Sequence, residues 1–194
     1  MGKASKKKKQ QKSQPESILN GKSLISSKIS SKWSLFNKPV VHFFLIAIVG
    51  FLVYSNTFNV PFHFDDTPNI VENYKLRNLN NFWPPSESRW FGYLTFSLNY
   101  YFGGLNVTGY HIVNIAIHVL NAILVYLLVV FTLRTPFFSN QQSAISSQDN
   151  LKPYLPLFIA LLFVSHPIQT QAVTYIVQRF TSLATFFYLL SLVM

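Results

Sequence analysis

The segment from Tyr110 to Leu133 most constrains how this chain can fold, because it is long, apolar and free of Asp, Glu, Lys and Arg. At the α-helical rise of about 1.5 Å per residue, such a segment is long enough to cross the roughly 30 Å hydrocarbon core of a bilayer. Backbone groups in lipid must be satisfied within the segment itself. The sequence therefore predicts a membrane-spanning α-helix.

Four polar side chains interrupt this segment at steps of three, four and three residues, which places all of them on one face of the helix. They are His111, Asn114, His118 and Asn121. Polar groups within a span face protein or a water-filled cavity. They would either hydrogen-bond to neighbouring helices or, nearer the outer mouth, contact a ligand. His111 is the better candidate for the second role.

The composition favours a membrane protein over a soluble domain. Only 11% of the 194 residues are charged, and 49% are hydrophobic, whereas soluble domains carry about 25% charged residues. The net charge of +10 could indicate a nucleic-acid partner, but ten of the sixteen basic residues are lysines before Pro39. A basic tail in front of a span indicates an anionic membrane surface and a cytoplasmic N-terminus, so we expect no nucleic-acid partner.

The rest of the chain divides into a polar tail and further apolar segments. We predict a disordered, basic, cytoplasmic tail over residues 1–38 and a membrane domain over residues 39–194. The domain would hold about four spans, over residues 40–58, 110–133, 154–165 and 180–194, with a large outer loop over residues 59–109. Because the sequence ends inside the fourth apolar segment, we expect it to be part of a longer polypeptide.

Two features predict irregular helices. Trp90 to Phe102 has the composition of a short helix at the membrane surface, and Gly103-Gly104 would end it. The third span covers only about half of the hydrocarbon thickness before it reaches His166-Pro167. The helix therefore either breaks there, with polar residues lining a cavity, or is followed by a short surface helix.

Two adjacent carboxylates, Asp65 and Asp66, follow the first span on the side opposite the lysine tail. A carboxylate in this place could accept a proton from an attacking hydroxyl while its neighbour orients it. The sequence Asp-Asp-Thr-Pro is also typical of a turn or a helix cap. The local pattern favours the turn, and the wider sequence context favours catalysis.

Three sequence blocks carry that context. The first runs from Tyr54-Ser-Asn-Thr-Phe through Phe64-Asp-Asp to Asn69-Ile-Val-Glu-Asn. The second joins Arg89 and Leu94-Thr-Phe-Ser-Leu-Asn-Tyr to Gly104-Leu-Asn-Val-Thr-Gly-Tyr-His-Ile-Val-Asn and His118. The third is His166-Pro-Ile-Gln-Thr-Gln-Ala-Val-Thr-Tyr-Ile-Val-Gln-Arg. In this order the blocks resemble the N-terminal membrane part of GT-C fold glycosyltransferases, and more narrowly the transmembrane/tetratricopeptide-repeat O-mannosyltransferase-like family.

The resemblance implies an α-helical polytopic membrane protein. This chain would form the N-terminal part of a GT-C bundle, with a large first extracytoplasmic loop. It implies transfer of a mannose-like sugar from a polyprenyl-phosphate donor to a hydroxyl on a protein acceptor, at the outer or lumenal membrane face. The host membrane would be the bacterial inner membrane or the endoplasmic reticulum. No metal or other cofactor is expected, although a divalent metal stays an alternative because some GT-C enzymes of the oligosaccharyl type use one.

Residue by residue, the resemblance makes Asp65 the group that deprotonates or positions the acceptor hydroxyl, with Asp66 as its partner. Arg89 and Arg179 would hold the departing phosphate, because a guanidinium offers paired donors and stays charged. Each arginine also has a structural alternative, as an interfacial anchor or as a flank of a span. The remaining candidates, which would contact sugar or phosphate or else serve in packing, are His111 and His166.

The chain departs from the family at two positions. Trp90 follows Arg89 where the family often has proline, and Gln171 stands where the family often has an acidic residue. The second departure argues against an acid–base role at that position. A transporter or a membrane-anchored scaffold is the rival interpretation, but transporters more often place ionisable groups near the midplane of the bilayer.

Overall fold

The computed structural model of the protein describes residues 38–86, 88–137 and 154–194. The predicted basic tail, apart from its last residue, and most of the polar connection before the third predicted span lie outside the described residues. The described part is helical and contains no strand. Its α-helices are α1 (Pro39–Tyr54), α2 (Trp90–Gly103), α3 (Val107–Leu133), α4 (Leu155–Ser165), α5 (Thr170–Thr174) and α6 (Arg179–Val193).

Local chemistry explains where these helices begin and end. Pro39 is the first residue of α1, a position where its missing N–H costs nothing. The Asn106 side chain caps α3 by accepting a 3.1 Å hydrogen bond from the backbone N–H of Thr108. After α2, Gly104 takes a positive φ of 58° and returns its N–H to the Tyr100 carbonyl, so the helix ends at the predicted glycine pair.

Three stretches of the described chain are long and apolar enough to cross a membrane: Pro39–Thr57, Val107–Leu133 and Ile176–Val193. A fourth candidate consists of Leu155–Ser165 and Pro167–Thr174, with a bend of 48° between them. The bend follows from Pro167, which cannot continue the helical hydrogen bonding. The His166 side chain supports the break by accepting a 3.2 Å hydrogen bond from the Ile168 N–H.

Contacts between helices fix their directions. Near the start of α1, His42 shares a 2.9 Å hydrogen bond with Tyr126, which lies toward the end of α3. Just beyond the other end of α1, the Phe58 carbonyl accepts a 3.1 Å hydrogen bond from Thr108. The helices α1 and α3 are therefore antiparallel. We call the end marked by Phe58 and Thr108 the loop end.

The loop that follows α1 is packed rather than extended. It contains short 3-10 or π-helical turns at Thr67–Val71, Tyr74–Arg77 and Leu79–Phe82. Apolar side chains from these turns form one buried cluster with α2, α3 and the segment before α6: Ile70, Leu76, Phe82, Phe96, Tyr110 and Ile176. Burial of each large side chain contributes about 1.5–3 kcal/mol, so this cluster holds the loop against the loop end of the helices.

Gly50→Val is expected to destabilise the packing of α1. A Cβ atom at Gly50 would lie 2.7 Å from Val119 Cγ2 and 3.1 Å from Val164 Cγ2. Overpacking of this kind costs about 1–3 kcal/mol of unfolding free energy. Thermal unfolding of the full-length protein in detergent measures the loss, with Gly103→Ala as control because nothing lies within 4 Å of a Cβ there. An unchanged unfolding temperature for Gly50→Val would contradict the close approach of α1 to α3 and α4.

Candidate functional site

A cleft of about 670 Å³ lies at the loop end, between the turn that carries Asp65, the start of α2 and the first turns of α6. Its polar lining residues are Asp65, Asn69, Arg89, Gln178 and Thr181. Its apolar side is formed mainly by Phe91, Val177, Phe180, Leu183, Ala184 and Phe187. The cleft thus combines a carboxylate, a guanidinium and neutral hydrogen-bonding groups with an apolar wall.

The apolar wall follows one face of α6. Phe180, Leu183, Ala184 and Phe187 recur at steps of three, one and three residues, which is the spacing of a single helical face. At about 1.5 Å per residue, positions 177 to 187 extend for about 15 Å. This wall belongs to the stretch Ile176–Val193, which is apolar enough to cross a membrane. The cleft therefore runs from a polar end onto the side of a candidate span.

Asp65 is exposed and lines the cleft. Its backbone N–H donates a 2.9 Å hydrogen bond to the Tyr175 hydroxyl, and its carbonyl accepts a 2.7 Å hydrogen bond from the Asn69 amide. The preceding residue, Phe64, has a φ of 45°, a left-handed conformation that costs energy for a residue with a side chain. Hydrogen bonds therefore hold the backbone of Asp65 at both its N–H and its carbonyl, and the residue lines the cleft.

Asp66 has different surroundings. Only 1% of it is exposed, and it does not line the cleft. One carboxylate oxygen accepts a 3.0 Å hydrogen bond from the His63 N–H, and the other accepts a 2.7 Å bond from the Val177 N–H. Burial raises the pKa of the Asp66 carboxyl above its usual value, although the two backbone hydrogen bonds partly oppose the rise. Both oxygens are thus engaged within the protein.

Arg89, just before α2, lines the same cleft as Asp65. Its guanidinium carbon lies 5.3 Å from the centre of the Phe180 ring. Contact with the face of a ring does not use the N–H donors of a guanidinium, which can still bind an anion. The two predicted residues that the structure brings together in the cleft are therefore Asp65 and Arg89.

Arg179 is fully buried and does not line the cleft. Its guanidinium donates hydrogen bonds of 2.7 Å to the Asn114 side chain, 2.7 Å to the Asn99 side chain and 2.9 Å to the Tyr110 carbonyl. It also lies 4.4 Å from the centre of the Phe96 ring. These neutral partners come from α2 and α3, so Arg179 joins both helices to the start of α6.

The two predicted histidines also lie outside the cleft lining. His111 is buried and donates a 2.9 Å hydrogen bond from Nε2 to the Val60 carbonyl, which ties the loop to α3. Its Nδ1 has no hydrogen-bond partner. His166 is exposed and caps the turn after α4. The structure therefore does not bring either histidine to Asp65 and Arg89.

The polar stripe on α3 faces protein at every position. Asn114 donates hydrogen bonds to the carbonyls of Val173 and Ile176. His118 donates one to the Val164 carbonyl, and Asn121 donates one to the Ser182 carbonyl. Two of these carbonyls, those of Val173 and Ile176, belong to the broken backbone between α4 and α6. The stripe thus satisfies backbone groups that lipid could not. Of the two roles predicted for these residues, hydrogen bonding to neighbouring helices or contact with a ligand, the structure shows hydrogen bonding within the protein.

Sequence reasoning missed Asn69, Tyr175, Gln178 and Thr181 as site residues. The first three lie within the sequence blocks that carry the family resemblance, and this position was a signal that could have identified them. The apolar wall also had a signal, in the helical spacing of Phe180 to Phe187. Across residues 38–86, 88–137 and 154–194, no three histidine or acidic side chains lie close enough together to hold a metal ion.

The fold and the cleft define the described region as part of a helical, multi-span membrane protein, with a polar cleft at one end of its spans. The chain is similar to curated proteins of one kind. It is 31% identical to Protein O-mannosyl-transferase TMTC4 of Mus musculus over 164 residues, which are 76% of this chain and 22% of the relative. It is 33% identical to Protein O-mannosyl-transferase tmtc2 of Xenopus laevis over 164 residues, 76% of this chain and 18% of the relative.

The human Protein O-mannosyl-transferase TMTC2 is 33% identical over 160 residues, 74% of this chain and 17% of the relative. The chain spans only about a fifth of the length of the curated relatives it matches. These similarities confirm the predicted resemblance to the transmembrane/tetratricopeptide-repeat O-mannosyltransferase-like proteins. No protein-family model and no solved structure matches the chain.

Proposed function

We propose that the full-length protein transfers a mannose-like sugar from a polyprenyl-phosphate donor to a hydroxyl group of a protein acceptor. The names of the relatives support O-mannosyl transfer to protein. The observation that carries the proposal is the shared cleft, in which Asp65 and Arg89 lie at the polar end of an apolar wall on a candidate span. A donor with a charged head and an isoprenoid chain has the same division into polar and apolar parts.

In this mechanism Asp65 is the general base. Its carboxylate takes the proton of the acceptor hydroxyl as the hydroxyl oxygen bonds to the anomeric carbon of the sugar. The bond between that carbon and the phosphate oxygen breaks, and the electron pair leaves with the polyprenyl phosphate. Arg89 stabilises the charge that develops on the leaving phosphate, because its guanidinium can donate two parallel hydrogen bonds to phosphate oxygens. The proposed chemistry uses no metal ion.

The distribution of basic residues supports a proposed orientation in the membrane. The cleft lies at the loop end, whereas Arg134 lies at the opposite end of α3. Basic residues favour the cytoplasmic side, and the lysine-rich N-terminal sequence precedes α1. We therefore propose that the N-terminus, with the basic tail over residues 1–38, lies in the cytoplasm and that the cleft lies at the outer or lumenal face. In this proposal residues 39–194 form the N-terminal part of a GT-C bundle.

The test is a transfer assay with the full-length protein in lipid vesicles, using a radiolabelled mannosyl polyprenyl phosphate and an acceptor peptide rich in Ser and Thr. We expect label on the peptide, and none when a nucleotide-linked sugar replaces the lipid donor. Transfer from the nucleotide sugar alone would contradict the lipid donor. Passage of the labelled compound across the vesicle membrane without transfer would favour a transporter.

Arg89→Gln is expected to lower kcat/KM for the lipid donor by about 10–100-fold, because a hydrogen bond to a charged group contributes about 1.5–3 kcal/mol. Arg77→Gln is the matched control, since Arg77 lies 4.3 Å from the centre of the Tyr74 ring and does not line the cleft. Initial rates at varied donor concentration measure both variants. Equal kcat/KM for the two variants would remove Arg89 from the donor site.

A further inference from the structure

Two neighbouring residues in the first loop are tied to one distant turn. Asp66 Oδ1 accepts the 2.7 Å hydrogen bond from Val177 N–H, and these residues are 111 positions apart in the sequence. Asp66 Oδ2 accepts from His63 N–H within its own loop. The buried carboxylate therefore bridges the loop and the turn just before α6.

A second tie lies beside the first. The Tyr175 hydroxyl accepts a 2.9 Å hydrogen bond from the backbone N–H of Asp65. Tyr175 directly precedes the 3-10 turn Ile176–Gln178, which contains Val177, and Val177 and Gln178 line the same cleft as Asp65. Two hydrogen bonds thus join the segment that contains Asp65 to the turn that contributes Val177 and Gln178 to the cleft lining.

We infer that Asp66 and Tyr175 form a clamp that positions Asp65 against the cleft wall, and that neither of them reacts with substrate. The inference rests on the proposed function for its kinetic consequence, although the clamp itself is a property of the fold. The loop keeps other anchors when the clamp is lost, including the 2.9 Å bond from His111 to the Val60 carbonyl and the buried side chain of Ile70. Loss of the clamp should therefore shift Asp65 without unfolding the loop.

The kinetic consequence is specific. Displacement of a catalytic group by about 1 Å can cost about 100-fold in rate. Arg89 and the apolar face of α6 would still bind the donor, since neither belongs to the clamp. The rate of transfer should therefore fall while the KM for the lipid donor stays the same.

The first test requires no substrate. Asp66→Asn replaces one acceptor oxygen with an NH2 group that cannot accept a hydrogen bond. The side chain can then hold only one of the two N–H groups, that of His63 or that of Val177, and no longer bridges them. Glu72→Gln removes a carboxylate elsewhere in the same loop. Hydrogen exchange of the full-length protein in detergent is followed in peptides covering residues 60–67 and 175–178. We expect at least 10-fold faster exchange in both regions for Asp66→Asn, with α3 unchanged, and wild-type rates for Glu72→Gln. Wild-type exchange in Asp66→Asn would overturn the clamp.

The second test uses Tyr175→Phe, which loses one hydroxyl at an exposed hydrogen bond and should fold normally. We expect kcat to fall about 10-fold with an unchanged donor KM. A higher donor KM with an unchanged kcat would overturn the positioning role. If the wild-type protein transfers no sugar but Asp66→Asn still exchanges faster in both peptides, the clamp is supported and only the proposed function is contradicted.

Discussion

Asp65→Asn in the full-length protein is expected to abolish sugar transfer, with a fall in kcat of about 10²–10⁴-fold, the usual contribution of a positioned general base. The amide has nearly the size of the carboxylate but cannot accept the proton of the acceptor hydroxyl. The backbone bonds of residue 65 to Tyr175 and Asn69 do not involve the exchanged group, so they persist. The change therefore removes the chemistry and leaves the cleft in place.

The comparison requires two controls. Glu72→Gln removes a negative charge from the same loop without touching the cleft, and should keep wild-type turnover. Membrane insertion and the unfolding temperature of Asp65→Asn should equal those of the wild type. If Asp65→Asn turns over at the wild-type rate, Asp65 is not the base and the catalytic proposal is wrong.

Arg179→Met is expected to cause the largest loss of stability among the changes considered. Methionine fills much of the space of the arginine stem but donates none of its hydrogen bonds. The Asn114 and Asn99 oxygens and the Tyr110 carbonyl would each lose the hydrogen bond that Arg179 donates. Because each buried polar group without a partner costs about 1–3 kcal/mol, we expect a loss of about 3 kcal/mol or more. Thermal unfolding in detergent measures it.

Arg77→Met is the control for this change, because Arg77 is exposed and contacts the Tyr74 ring instead of a buried amide network. Its unfolding temperature should stay close to that of the wild type. Arg179 was also predicted to bind the donor phosphate, and the same variant examines that prediction. A folded Arg179→Met protein with wild-type unfolding temperature and no transfer activity would restore the phosphate role and contradict the structural one.

The sequence predicts the helical, membrane-spanning character of the chain from local information. Long apolar stretches around α1, α3 and α6 need helical structure in lipid, and Pro167 and Gly104 interrupt helices by their own backbone chemistry. The polar stripe on α3 is likewise visible in the sequence, because its spacing depends only on the helical repeat. Its partners are not visible, since they are backbone carbonyls from segments that lie far away in the sequence.

The candidate site shows the same division. The sequence alone placed chemically capable residues in the right blocks, including both carboxylates and both arginines, because residue type is a local property. Only the tertiary structure separated Asp65 from Asp66, and Arg89 from Arg179. Adjacent residues in a turn point in different directions, and the deciding partners lie far away in the sequence, such as Val177 for Asp66. Burial and long-range hydrogen bonds thus determine which charged groups remain available to a ligand.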